Sequence, residues 1–163
     1  MEAPELNAHN KTEYPPMHTA EHLLNQTMVR MFGCERSRNA HIERKKSKIS
    51  YNLPEEPTPA QVEAISEQMN RLIAQDLPVN YQFVRADQVP EGIKLDRLPE
   101  DASQTLRLVS IGSYDVCPCI GLHVAHTAQL GRFVLLGTNW DSEKHNFRIR
   151  FKLEGEDPTC KEA

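Results

Sequence analysis

Long apolar runs are absent from this sequence. None approaches the roughly 18 residues that a membrane-spanning helix needs, so no segment is expected to cross a bilayer as a helix. Cysteine is sparse: Cys34, Cys117, Cys119 and Cys160 are the only four in 163 residues, too few for a disulfide framework. They are expected as free thiols or metal ligands. A surplus of positive charge is also missing. Nineteen Lys and Arg against 23 Asp and Glu leave a formal net charge of −4, whereas a dedicated nucleic-acid binder is usually basic across its domain. Any contact with nucleic acid therefore has to rest on local patches. There is no internal repeat and no low-complexity tract. The opening MEAPELNAHNK lacks the basic start and apolar stretch of a signal peptide, which makes the cytoplasm the expected compartment.

What is present fits one domain with one core, taken as residues 1–163. Apolar residues make up 39% and charged residues 26%, ordinary for a globular chain. Residues 1–16 read as an irregular segment ending in YPP. MHTAEHLLNQTMVRMFG then places Leu24, Met28 and Met31 at helical spacing beside Leu23 and Thr27, with Gly33 as a stop. In NAHIERKKSKISYNL, Ile49, Tyr51 and Leu53 alternate with Lys48, Ser50 and Asn52, which predicts a half-buried strand and a hairpin turning near ERKKS. PEEPTPAQVEAISEQMNRLIAQDLP reads as a helix capped by Thr58, with Pro59 at its first position, Gln61 closing a capping box, and an apolar stripe of Val62, Ile65, Met69, Leu72 and Ile73. VNYQFVRA and TLRLVSIG read as strands, with a loop-like DQVPEGIKLDRLPEDAS between them. RFVLLG and NFRIRFKL form a last pair, with Phe147, Ile149, Phe151 and Leu153 inward and Arg148, Arg150 and Lys152 outward. Residues 154–163 read as a frayed tail. Helices mixed with hairpins without regular alternation predict an α+β fold.

Two short pairs carry chemistry. His18 and His22 are four apart on the first helix, so both imidazoles share one face, one turn apart. A pair of this kind is common on partly exposed surface or in satisfied cores. Cys119 and His123 form the second pair, and a lone Cys119 reads equally as a small buried hydrophobe. Together the two pairs supply imidazoles and a thiolate, a set that suits tetrahedral zinc. The first helix has no glutamate directly after His18, so it is not the HExxH helix of zinc proteases.

HTAEHLL followed by CIGLHV, then LGRF and FRIRF, resembles the editing domain of alanyl-tRNA synthetase. More closely it resembles the free-standing alanyl-tRNA editing proteins of the AlaX type. That family carries HxxxH early and CxxxH late, usually as HTATHLL and CGGTHV, and the resemblance runs from about His18 to Leu153. GSYDVCPC resembles the approach to the family's cysteine, and NAHIERKKSKISYNL its central hairpin. The threonyl-tRNA synthetase editing domain shares the constellation. The resemblance implies the α+β domain common to threonyl- and alanyl-tRNA synthetases, a mixed antiparallel sheet with packed helices. It implies zinc held by His18, His22, Cys119 and His123. It implies hydrolysis of mischarged aminoacyl-tRNA, typically Ser-tRNA(Ala) and in some members Gly-tRNA(Ala). An alanine pocket discriminates poorly against one methylene or one hydroxyl, worth only ~1–3 kcal/mol, so a second hydrolytic site is needed.

Four protein ligands fill a tetrahedral zinc. Either one swings away, or the ion becomes five-coordinate, or it only orients substrate. On this reading His18, His22 and His123 are the firm ligands and Cys119 is the mobile one, with a catalytic part. The family's threonine before the second histidine is Glu21 here: a general base, or an outward carboxylate, since neighbours on a helix diverge by about 100°. CIGLH has Ile120 and Leu122 where the family has glycine and threonine, which predicts a bulkier, drier wall and alters which amino acid fits. His41 falls at a hairpin position that lines the pocket in relatives, either touching substrate or standing on the surface. Arg44, Lys45, Lys46 and Lys48 read as a solvated turn or as phosphate contacts of the tRNA. Arg148, Arg150 and Lys152 are a second candidate face. Cys117 reads as a free thiol and Cys34 as buried beside the first helix. The competing readings are a non-catalytic metal- or tRNA-binding module, a hydrolase of Ser-tRNA(Thr), and a hydrolase of small aminoacyl esters.

Overall fold

The computed structural model describes residues 14–85 and 105–156. The loop expected over 87–103, Cys160 and all but the first residues of the expected tail lie outside them. The described chain forms two helices and seven strands. In order these are α1 (Pro15–Phe32), β1 (Asn39–His41), β2 (Ser47–Asn52), α2 (Pro59–Ala74), β3 (Val79–Arg85), β4 (Thr105–Ile111), β5 (Asp115–Pro118), a 3-10 turn (Thr127–Leu130), β6 (Arg132–Asp141) and β7 (Asn146–Glu154).

The strands make two antiparallel sheets, ordered β1-β2-β7-β6 and β3-β4-β5. β7 alternates as read, with Phe147, Ile149, Phe151 and Leu153 buried and Arg148 and Arg150 exposed. The β1–β2 hairpin turns over residues 42–46. Its alternation breaks at Ser50, which is buried because its carbonyl accepts from the Ser37 hydroxyl at 2.6 Å. β5 was not foreseen. Its four residues DVCP are too short for a period, and only the ladder to β4 makes them a strand.

α2 begins as its sequence dictates. The Thr58 hydroxyl accepts from the Gln61 amide at 3.1 Å, and the Gln61 side chain accepts from the Thr58 amide at 2.8 Å, a cap worth about 1 kcal/mol. α1 begins at Pro15, inside the segment read as irregular, because proline suits a first turn whose amide has no partner. It ends at Gly33, whose φ of 67° and amide bond to the Val29 carbonyl close the helix. Met31, placed in the apolar stripe from its spacing, is 36% exposed in the last turn. The core comprises Met17, Leu23, Leu24 and Met28 of α1, Ile65, Met69 and Leu72 of α2, and the inward residues of both sheets.

One crossing positions the site. After β5 the chain runs through Cys119 to His123 and then pairs with the start of β3: the Val79 amide donates to the Ala125 carbonyl at 2.9 Å, and the Thr127 amide to the Leu77 carbonyl at 2.9 Å. That stretch passes against α1, whose Thr19 hydroxyl receives the Val124 amide at 3.1 Å. In LGRF, Gly131 is required by geometry. Its φ is 71°, and a Cβ there would collide with the Glu154 carbonyl.

Candidate metal centre

His18, His22, Cys119 and His123 converge, with one donor atom from each lying within 4.8 Å of all the others. The helical spacing supplies the first two and the β5-to-β3 crossing the others. The His18 and His123 rings stack at 4.2 Å between centroids, and the His22 ring stands edge-on to both at 4.9 and 4.4 Å. The Cys119 sulfur lies 3.5 Å from His18 Nε2. Donors around one zinc ion, at about 2.0–2.3 Å each, stand roughly 3–4 Å apart.

The groups behind the rings decide which nitrogens face inward. His18 Nδ1 is 2.9 Å from the Leu122 carbonyl. A carbonyl only accepts, so Nδ1 carries the proton and Nε2 is bare. His123 Nδ1 is 2.9 Å from the Thr19 hydroxyl, and its buried Nε2 has no hydrogen-bond partner. With Nδ1 protonated, Thr19 Oγ1 accepts from both His123 and the Val124 amide. The Asp115 carboxylate faces His22 Nδ1 at 3.7 Å, an electrostatic contact longer than a hydrogen bond. Asp115 is itself held by Arg36, at 2.7 and 3.2 Å. Groups bonded to the far nitrogens of His18 and His123, with a carboxylate near that of His22, are the kind of support that orients metal ligands. The orphaned Nε2 of His123 and the three-nitrogen, one-sulfur donor set fit a divalent, borderline-soft ion.

Charge in the centre is polarised. Burial raises the Cys119 thiol, but the positive charge of His22 and the imidazoles of His123 and His18 beside the sulfur outweigh it and hold that thiol far below the ordinary range. Burial disfavours a charge on His22, yet attraction to Cys117 and Cys119 and the Asp115 carboxylate raise it well above its usual value. Burial and the His22 charge push His123 down to about 3. For Asp115, burial acts upward, while His22 and Arg36 hold the carboxyl below the usual range. The Cys119 loop is fixed by buried Arg107. Its Nε donates to the Cys119 carbonyl at 2.8 Å, its Nη2 to the Gly121 carbonyl, and its own carbonyl accepts the Cys119 amide at 3.0 Å.

Other expected site residues fall differently. Glu21 is not outward: its carboxylate lies 3.9 Å from His18 Nε2 at the rim, because residues three apart share a helix face. His41 is exposed on edge strand β1, and its bond is to Glu43 at 2.7 Å rather than to the cluster. Leu122 is 44% exposed, and its carbonyl is what reaches the cluster. Arg44, Lys45 and Lys46 lie exposed at the hairpin turn, with the Arg44 guanidinium 5.1 Å from the Tyr14 ring centroid, and exposed Lys48 stands opposite Arg150. Cys34 is only partly buried, and Cys34, Cys117 and Cys119 are free thiols. Thr19, Asp115, Arg36 and Arg107 were missed. Each is an ordinary residue type whose part is set by a partner distant in sequence.

Comparison with known proteins fits this geometry. Residues 106–150 match the Threonyl and Alanyl tRNA synthetase second additional domain. The chain is similar to the alanyl-tRNA editing protein AlaX-L of Pyrococcus horikoshii, 31% identical over 137 residues, 83% of this chain and 32% of the relative. It is also similar to the alanine-tRNA ligase of Treponema pallidum, 30% identical over 77% of this chain and 21% of the relative. With the alanine-tRNA ligase of Streptococcus thermophilus identity is 31% over 73% of this chain and 14% of the relative. The chain thus spans about a third or less of the length of these relatives. The expected α+β domain common to the two synthetases is borne out by the domain match and by helices packed on antiparallel sheets. The resemblance to AlaX-type editing proteins is matched across most of the chain.

Proposed function

We propose that residues 1–163 act as one editing domain, a zinc-dependent hydrolase that removes the amino acid from mischarged aminoacyl-tRNA in the cytoplasm. Ser-tRNA(Ala) is the leading substrate and Gly-tRNA(Ala) the second. The observation that carries this reading is the set of three imidazoles, each with its Nδ1 facing a second group, gathered around a thiolate in a chain similar to an alanyl-tRNA editing protein.

His18, His22, Cys119 and His123 would hold the ion. A zinc ion there supplies Lewis-acid polarisation of an ester carbonyl. Thr19, Asp115 and the Leu122 carbonyl orient the rings, and Arg107 holds the Cys119 loop in register. Glu21 stands at the rim, where a carboxylate can take the proton of the attacking water. Cys119 is the ligand assigned to yield a position to substrate. Arg44, Lys45, Lys46 and Lys48 form the basic edge offered to tRNA phosphates. The exposure of His41 and its bond to Glu43 favour a place at that edge over one in the reaction.

The test is a deacylation time course on Ser-tRNA(Ala), with Ala-tRNA(Ala) as control and metal-stripped protein alongside. Release of serine that spares alanine and disappears with the metal is expected. Metal-loaded protein that releases no amino acid from Ser-, Gly- or Thr-charged tRNA sinks the reading.

A further inference from the structure

The mouth of the site carries an aromatic ring that the chemistry above does not use. Phe83 of β3 is 41% exposed. It stands directly opposite Arg107 in the β3–β4 register, so both side chains leave the sheet on one face. Tyr81 lies two residues earlier on that face. Its ring centroid is 4.5 Å from the Arg107 guanidinium carbon and 6.4 Å from the His123 ring. From there Arg107 reaches the Cys119 and Gly121 carbonyls. Val109, opposite Tyr81, is fully buried, and Tyr81 packs on the core. Phe83 thus follows Tyr81 along a face whose inner members reach the histidine cluster and its loop. Its ring is part-exposed on the face from which Arg107 reaches the loop that carries Cys119.

We propose that Phe83 is the stacking platform for an unpaired nucleobase, that of the terminal nucleotide whose ribose bears the ester. This rests on aminoacyl-tRNA being the substrate. The base of that nucleotide lies only a sugar's width from the bond to be cut. An aromatic ring one register step from the metal-holding loop is placed to receive it. Stacking needs no hydrogen-bond readout, because every base has a π face, and Phe83 supplies none. The platform orients the nucleotide and leaves the bond chemistry to the cluster, so Phe83 is a positioning residue.

The experiment uses an unacylated RNA hairpin with a four-nucleotide single-stranded 3′ end, and the same hairpin lacking its terminal base. Wild-type protein is expected to bind the intact hairpin roughly tenfold more tightly, the effect of one stacked base. Phe83→Ala and Phe83→Leu lose that preference, and Phe83→Trp keeps it, with metal content and thermal midpoint unchanged in all three. Equal wild-type affinity for both hairpins, absence of binding to either, or full preference in Phe83→Leu overturns the proposal. The hairpin carries no ester, so the two readings fail separately. Base preference without deacylation removes the hydrolase and keeps the platform, and deacylation without base preference does the reverse.

Discussion

The ring nitrogen of His18 that faces away from the cluster donates to the carbonyl of Leu122 at 2.9 Å. A residue of α1 is thereby fixed by the backbone between Cys119 and His123, and the two halves of the centre orient one another. That backbone is set by Arg107 on one side and Thr19 on the other. The geometry of the four donors belongs to a network, and several predictions act on its outer members.

Thr19→Val keeps the volume but removes the oxygen shared by His123 and the Val124 amide. Loss of such a partner typically weakens metal binding by roughly 10- to 100-fold. Competition with a chromogenic chelator measures it, and Thr19→Ser is expected to restore most of the affinity. Unchanged affinity in Thr19→Val would show that the hydroxyl does not orient the ring.

Asp115 makes stability depend on acid. Its folded carboxyl sits below its unfolded value, so its contribution is present above about pH 4 and is lost as pH falls through the folded value. Thermal midpoints recorded from pH 7 down to 2.5 are expected to fall more steeply below pH 4 for wild type than for Asp115→Asn. At neutral pH the variant leaves the partly buried Arg36 without its buried partner and is destabilised by roughly 2–3 kcal/mol. Parallel curves for the two proteins would contradict the assignment.

The thiols differ in reactivity. Cys119 is held far below the ordinary thiol range, while burial pushes the Cys34 thiol up. In metal-stripped protein at pH 6, iodoacetamide is expected to label Cys119 well before Cys34, read by peptide mass mapping. A bound ion abolishes the difference by covering Cys119. Cys119→Ala that keeps both full metal content and full activity would remove this residue from the mechanism.

The hairpin turn tests tRNA contact. Lys45→Gln with Lys46→Gln removes two exposed charges. If both meet phosphates, the slope of log affinity against log salt decreases in magnitude by about 0.7–0.9 per contact. Weaker binding with an unaltered slope would assign them to a solvated turn.

Much of the architecture was legible where a local rule and the tertiary structure agree. The Thr58–Gln61 box and the alternation of β7 are complete within a few residues of sequence. The convergence of His18, His22, Cys119 and His123 came from spacing joined to a resemblance, since nothing local links His18 to Cys119, 101 residues away. The sequence left Glu21 open between general base and outward carboxylate because it was compared with its neighbour His22, when the face it shares is that of His18. Asp115, Arg107 and Thr19 gave no signal. A buried polar residue differs from an exposed one only through its partners, and those partners lie on other elements.

The span between the two halves of the centre has a consequence for folding. An ion bound by His18, His22, Cys119 and His123 would tie together positions such as His18 and Cys119, 101 residues apart, as a disulfide would, but removably. Closing a loop of that length restricts the unfolded chain by an amount equivalent to roughly 4–5 kcal/mol for a covalent link. Such an ion would act as a reversible staple on the whole domain, and its removal is expected to lower the denaturation midpoint and to increase amide exchange in α1 and the Cys119–His123 loop together.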